Sequence, residues 1–159
     1  PTYAKKTATS ASFPEGTSTT VTLSATGYPA PTITETGALP GGVTFDNGVL
    51  SGTPAVTTES STYDLTITAS NGITPAATLD NFVLTVIAPL AITTSSPLPS
   101  ATPGSAYYEQ LTATGGLGAY AWKKTGTLPK GLSLSSTGVL SGTLSTKVAA
   151  HATLTLPVS

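Results

Sequence analysis

One segment decides the fold, and the chain contains it twice. The first copy reads Gly37-Ala-Leu-Pro-Gly-Gly-Val-Thr-Phe-Asp-Asn-Gly-Val-Leu-Ser-Gly-Thr53, and the second reads Gly126-Thr-Leu-Pro-Lys-Gly-Leu-Ser-Leu-Ser-Ser-Thr-Gly-Val-Leu-Ser-Gly-Thr143. Matching residues lie 89 positions apart at the start and 90 apart at the end, because the second copy carries one extra turn residue. A period of about 90 residues is too long for a solenoid unit and close to the size of one β-sandwich.

The repeated segment has the pattern of a β-hairpin. Val43-Thr-Phe45 alternates apolar and polar residues, as a half-buried strand does. Asn47-Gly48 suits the positive φ angles of a tight turn, and Val49-Leu50 begins the next strand. Gly52 then marks a bend. The second copy repeats this order from Leu132 to Gly142, so we expect two strands and a turn in each copy.

The composition is typical of an all-β protein with short strands. Only 8% of the residues are charged, against about 25% in an average globular protein. Thr and Ser fill the polar positions, and the β-branched Thr suits a pleated surface. Sixteen Gly and thirteen Pro imply many turns. Further strands are predicted at Thr19–Ala25, Tyr63–Ala69 and Phe82–Val86.

The repeated motif resembles a known family. Ala121-Trp122 followed by Gly126–Thr143 resembles the He_PIG family of immunoglobulin-like domains, which recur in tandem in large bacterial and archaeal surface proteins. Tyr63–Gly72 followed by Phe82–Val86 is similar to the end of dystroglycan-type cadherin-like domains. The resemblance implies an all-β fold with two tandem immunoglobulin-like (Ig-like) β-sandwiches. It also implies an extracellular structural or adhesive module of a microbial cell-surface protein.

The second repeat is expected to lack its final strand. We place the first repeat at residues 1–88 and the second at residues 89–159. Ala152–Val158 corresponds to Leu65–Ala69, and nothing after it corresponds to Phe82–Val86. A sandwich without an edge strand exposes backbone groups that another strand can pair with. An alternative function is therefore a subunit of an extracellular filament or pilus-like fibre assembled by donor-strand exchange.

The charges are divided unequally between the repeats. Residues 1–88 hold two lysines and six carboxylates, a net of −4, and residues 89–159 hold four lysines and Glu109, a net of +3. Opposite charges would meet at each junction of a head-to-tail stack, which favours the filament alternative. The expected partners are neighbouring Ig-like repeats or identical subunits, with a surface glycan or protein ligand as a further possibility.

The sequence offers no catalytic, metal-binding or cofactor-binding residues. The absence of Cys excludes disulfides, thiolate nucleophiles and Cys-based zinc sites. The sole histidine, His151, is part of no nucleophile motif. Calcium needs six or more oxygen ligands, and we interpret Asp46, Glu59, Asp64 and Asp80 as solvated carboxylates instead. The chain is therefore expected to be no enzyme and to need no cofactor.

The aromatic residues of the second repeat allow another alternative. Trp122 has Tyr107, Tyr108 and Tyr120 near it in sequence, as a sugar-stacking platform would. This pattern indicates a carbohydrate-binding accessory module as a second alternative function. However, Trp122 aligns with Ile33 of the first repeat. We therefore favour an inward-facing core residue, as in other Ig-like sandwiches.

The remaining sequence features concern partners and cross-links. The chain has no Arg and no basic stripe, so no nucleic-acid partner is expected. The apolar stretch Phe82–Ile92 is too short for a membrane-spanning helix, so no membrane insertion is expected. Lys5, Lys6 and Asn81 suggest a Lys–Asn cross-link, but we interpret the lysines as solvated. The predicted location is extracellular, at the cell surface.

Overall fold

Short segments that alternate Thr with Val, Leu or Ile give this chain its strands. The computed structural model describes residues 1–3 and 8–147, which form strands and turns. The chain folds into two compact units. The first contains residues 1–89 and 115–117, and the second contains residues 90–114 and the residues from 118 onward.

The first unit contains nine strands in its described part. They are β1 Thr2–Tyr3, β2 Ser10–Pro14, β3 Thr19–Thr22, β4 Ala25–Thr26, β5 Thr32–Thr36, β6 Val43–Asp46, β7 Val49–Gly52, β8 Ser61–Ser70 and β9 Ala77–Ile87. One sheet has the order β2-β9-β8-β5, and a second has the order β3-β7-β6. Strands β1 and β4 form a separate pair.

Strands β2 and β9 form a parallel pair within otherwise antiparallel sheets. Ser10 lies opposite Val83, and Pro14 lies opposite Ile87. The ladder is extended at its ends by hydrogen bonds from Val83 N to Thr9 O at 3.3 Å and from Glu15 N to Ile87 O at 3.0 Å. An early strand and the last strand of the unit therefore lie side by side.

The inward-facing positions of the two sheets form the core of the first unit. Phe13, Leu50, Leu65, Ile67 and Phe82 are among its fully buried side chains. Burying one such side chain stabilises the fold by roughly 1.5–3 kcal/mol. Burial alternates along β8, as it does in a strand with one face on the core, so the predicted strand Tyr63–Ala69 forms as part of β8.

A β-bulge preserves this alternation where β8 meets β9. Leu65 pairs with Phe82, but Ile67 pairs with Leu79, so β9 holds one extra residue between them. Asn81 lies in this stretch with φ 58°. Since the extra residue is absorbed there, both Leu65 and Ile67 stay on the buried face.

The predicted hairpin forms, and its turn caps other strands. Asn47 has φ 39° and Gly48 has φ 88°, as the sequence predicts. Asn47 Oδ1 accepts a hydrogen bond from Ile33 N at 2.9 Å, at the edge of β5. Leu23 N donates to Gly48 O at 2.7 Å. The predicted strand Thr19–Ala25 is consequently split into β3 and β4, because Leu23 bonds to the turn instead of to a strand.

The second unit has a similar hairpin sheet. Its described strands are β10 Ala91–Ile92, β11 Ala106–Gln110, β12 Ala113–Thr114, β13 Leu132–Leu134 and β14 Val139–Thr143. The sheet order is β11-β14-β13, with β10 and β12 as a separate pair. Leu111, Leu128, Leu140 and Leu144 are buried. The predicted strand 152–158 lies outside the described residues.

Two glycines in each unit allow the backbone to approach itself closely. A Cβ atom on Gly52 would collide with Gly42 O, and one on Gly42 would collide with Thr53 O. In the second unit, Gly142 and Gly131 are in the same relation. Since these contacts involve backbone atoms, no side-chain movement can relieve them. The repeated glycines are therefore required by backbone packing as well as by a bend.

Candidate functional site

A groove in the second unit surrounds Trp122. This groove, called the Trp122 groove below, is lined by Gln110, Leu111, Thr112, Ala113, Tyr120, Trp122 and Thr137 and has a volume of about 370 Å³. It therefore combines two aromatic rings with hydroxyl and amide groups, and none of its lining side chains is charged.

Hydrogen bonds hold the groove in shape. Gln110 Nε2 donates to Leu111 O at 2.9 Å and to Thr137 O at 3.1 Å. Trp122 N donates to Ser136 O at 3.0 Å, and Leu111 N donates to Gly138 O at 2.8 Å. The 135–138 turn is thus bonded both to the strand beside it and to the segment that carries Trp122.

Trp122 and Ile33 occupy matching places but differ in burial. Ile33 is 7% exposed, and its side chain lies against Gly48 of the hairpin turn. Trp122 likewise lies against Gly138, the matching turn glycine, but it is only half-buried and lies outside a strand. An inward-facing core position is therefore what Ile33 occupies, whereas Trp122 faces inward only in part.

The other aromatic residues of the second unit lie in different settings. Tyr120 lines the groove and is 41% exposed. Tyr108 is 68% exposed and does not line the groove. Tyr107 donates from its hydroxyl to Pro99 O at 3.0 Å. Burial, and after it the carboxylate of Glu109, raises the pKa of Tyr107 above its usual value.

The acidic residues considered for calcium do not form a cluster. Among residues 1–3 and 8–147, no group of three or more His, Cys, Asp or Glu side chains is arranged to hold a metal ion. Asp64 and Asp80 lie on β8 and β9, and both are exposed. Glu59 is exposed too, in the loop before β8. Their interpretation as solvated carboxylates stays a prediction.

Two other carboxylates, which the sequence did not single out, lie in less exposed positions. Glu15 is 9% exposed and accepts hydrogen bonds from the backbone and hydroxyl of Thr57. Glu35 Oε2 is buried and has no hydrogen-bond partner among the described residues. The sequence contains one indication that Glu35 is partly buried. It lies two residues after the core residue Ile33, and residues two apart in a strand share a face.

Three residues considered from the sequence, Lys5, Lys6 and His151, lie outside the described residues. Asn81, the candidate partner of a lysine cross-link, is exposed at the bulge of β9. The described part of the chain contains no helix that is long and apolar enough to span a bilayer.

The fold and the repeated hairpin define a class, the tandem Ig-like β-sandwich proteins. The family model described as "Putative Ig domain" (He_PIG) matches residues 1–87 and again residues 89–159. The chain therefore belongs to the He_PIG family. The predicted family and fold class are both confirmed.

Solved structures of Ig-domain proteins support the same fold. Extracellular domains 3–5 of Drosophila OTK match with 16% identity, a TM-score of 0.53, and coverage of 89% of this chain and 51% of that one. The N-terminal four Ig domains of Dscam1 isoform 4.44 match with 19% identity, a TM-score of 0.57, and coverage of 92% of this chain and 38% of that one. The chain thus spans about half of these structures or less. At such identities the likeness concerns the fold.

No curated protein sequence matches this chain.

Proposed function

We propose that this chain is a structural and adhesive repeat module of a microbial cell-surface protein. It acts outside the cell, without catalysis, as two Ig-like repeats at residues 1–88 and 89–159. Membership of the He_PIG family supports this proposal. So does the scarcity of charged residues, 8% of the chain, because few acids and bases are available for chemistry.

The parallel β2–β9 ladder is the observation that carries the structural part of this function. A surface module transmits tension between its two ends. Tension pulls β2 toward its N-terminal end at Ser10 and pulls β9 toward its C-terminal end at Ile87. Because the strands are parallel neighbours, these forces slide one strand along the other and load the ladder hydrogen bonds together. Opening one bond at a time would need much less force.

Single-molecule force spectroscopy on the whole chain tests this function. The chain has no Cys, so introduced cysteines define where force is applied. The pair Ala8→Cys and Leu90→Cys loads the ladder in shear. The pair Ala8→Cys and Asp80→Cys pulls on one end of the same ladder and peels it. All three positions are exposed.

We expect the shear pair to unfold the first unit at a force several times higher than the peeling pair. Forced unfolding depends on the unfolding rate, so both pairs are compared at one loading rate. Equal forces, or a lower force in shear, would contradict a function in transmitting tension.

A filament subunit is the alternative proposal, and charge supports it. Lys123, Lys124, Lys130 and Lys147 of the second unit are all exposed. Four carboxylates of the first unit are exposed as well, whereas Glu15 is buried; the four are Asp46, Glu59, Asp64 and Asp80. Opposite surface charges of this kind attract chiefly at low salt, since the Debye length is about 10 Å at 0.1 M.

Sedimentation velocity distinguishes the alternative from the main proposal. A filament subunit forms large species at low salt that dissociate at high salt. A repeat module sediments as a monomer at both salt concentrations.

A further inference from the structure

Trp122 and Tyr120 give the second unit two aromatic rings at places where the first unit has none. The first unit fills the corresponding places with Ile33 and Pro31. The Ile33 side chain lies against the turn glycine there and is 7% exposed. Trp122 covers Gly138 in the same way, but half-buried, and together with Tyr120 it lines a groove. Covering the turn glycine, which Ile33 does in the first unit, therefore does not by itself explain a tryptophan at position 122.

We propose that the Trp122 groove binds a neutral oligosaccharide. The inference specifies the ligand of the proposed adhesive module and therefore rests on that function. A sugar ring has an apolar face of C–H groups and an equatorial edge of hydroxyls. The rings of Trp122 and Tyr120 suit the apolar face. Thr112 and Thr137 also line the groove, and each hydroxyl is hydrogen-bonded to a neighbouring one, that of Thr93 or that of Ser135.

Charge and size narrow the class of ligand. The lining carries no charged side chain, so a charged ligand would lose hydration without gaining an ion pair. The volume of about 370 Å³ lies near the lower end of the range of about 300–1,000 Å³ for small-molecule sites. A short stretch of a neutral glycan chain fits both conditions.

The groove is organised before any ligand binds. The Gln110 amide donates to two backbone carbonyls, those of Leu111 and Thr137, and the Trp122 backbone is bonded to the turn. The ligand therefore needs to order few protein groups on binding, which favours measurable affinity from a small contact area.

Trp122 is the only tryptophan in the chain, so its fluorescence reports on the groove directly. The probes are cellohexaose, chitohexaose, maltohexaose and mannohexaose, with hexagalacturonate as the acidic comparison. We expect at least one neutral probe to shift the emission to shorter wavelengths and to saturate with a Kd of about 1 mM. Titration calorimetry on the same probe gives an independent Kd.

Three variants test where the probe binds. Tyr120→Ala removes one ring and is expected to weaken binding about fivefold. Tyr108→Ala is the matched control, because Tyr108 is 68% exposed and lies outside the groove. Trp122→Ile places the residue of the first unit at this position and is expected to abolish binding in calorimetry while the far-UV circular dichroism spectrum is kept.

Three results would overturn the inference. They are no response to any neutral probe, equal binding by the Tyr120→Ala and Tyr108→Ala variants, and tighter binding of hexagalacturonate than of the neutral probes. The force measurement on the β2–β9 ladder needs no glycan. An absence of glycan binding can therefore be distinguished from an absence of the proposed structural function.

Discussion

Glu15 and Thr57 are joined by two hydrogen bonds, although 42 residues separate them in the chain. Thr57 N donates to Glu15 Oε2, and Thr57 Oγ1 donates to Oε1, each at 2.6 Å. The carboxylate is buried, and it fastens the loop before β8 to the end of β2. Bonds to a charged acceptor are stronger than bonds between neutral groups.

Glu15→Gln is expected to destabilise the first unit. An amide is uncharged and offers one acceptor oxygen in place of two, so the bond to Thr57 N loses its charged acceptor and Thr57 Oγ1 is left with Glu59 O, its other acceptor at 3.0 Å. The free energy of unfolding should fall by about 1–3 kcal/mol. Urea unfolding followed by far-UV circular dichroism measures the change, and Glu59→Gln, at an exposed position, is the control. Equal unfolding midpoints for the two variants would contradict the prediction.

Asn47→Ala is expected to weaken the same unit by a different route. It removes the acceptor for Ile33 N and places Ala at φ 39°, where a Cβ atom is disfavoured. We expect a loss of about 1–3 kcal/mol in the free energy of unfolding. Asn47→Asp keeps an acceptor oxygen and should lose less. If Asn47→Asp lowered the free energy of unfolding as much as Asn47→Ala does, the hydrogen bond from Ile33 N would be unimportant for stability.

Gly52→Ala and Gly142→Ala are expected to unfold the unit that carries each of them. An added Cβ atom meets backbone at both positions. Gly41→Ala and Gly126→Ala are matched controls, because a Cβ atom there meets nothing within 4 Å. The fluorescence of Trp122 follows the second unit, and calorimetry follows both. Cooperative unfolding of Gly142→Ala at the original temperature would refute the backbone contact.

Alkaline pH is expected to destabilise the second unit through Tyr107. The folded state raises the pKa of this phenol above 10.0, by burial first and the Glu109 carboxylate second. A raised folded-state pKa gives stability that is complete below the unfolded pKa and is lost as the pH rises through the folded one. Tyr107→Phe should therefore flatten the decline above about pH 10, and Tyr108→Phe should not. The free energy of unfolding of each variant is measured at a series of pH values by Trp122 fluorescence. Equal slopes against pH for the Tyr107→Phe and Tyr108→Phe variants would contradict the prediction.

Glu35→Ile is expected to stabilise the first unit. Glu35 Oε2 is buried without a hydrogen-bond partner among the described residues, and an apolar side chain removes that desolvation cost. The free energy of unfolding should rise by about 1 kcal/mol. Thr36→Ile, at an exposed position of the same strand, controls for strand propensity. A fall in stability for Glu35→Ile would mean that the carboxylate has a partner in solution.

The hairpins and the core of β8 could be predicted from the sequence because their signals are local. Alternation marks Leu65 and Ile67, and Asn47-Gly48 marks its turn. The pairing of β2 with β9 could not be predicted. It joins Ser10 to Val83, and neither strand carries a sign of its neighbour.

The candidate site was predictable only in part. The alignment with Ile33 predicts an inward-facing core residue, and the half-buried Trp122 over Gly138 fits that prediction only in part. It did not reveal the groove, because the groove depends on Thr137 and residues 110–113 approaching from other segments. Glu15 and Thr57 were missed for the same reason, since their contact spans a long stretch of chain.

The glycine contacts of the two hairpins also bear on how such repeats diverge. Because Gly42 with Gly52 and Gly131 with Gly142 meet through backbone alone, they place no demand on the side chains around them. Positions elsewhere in the unit differ between the copies, as Ile33 and Trp122 do. A duplicated copy can therefore acquire a new surface while a handful of glycines keeps its architecture in place.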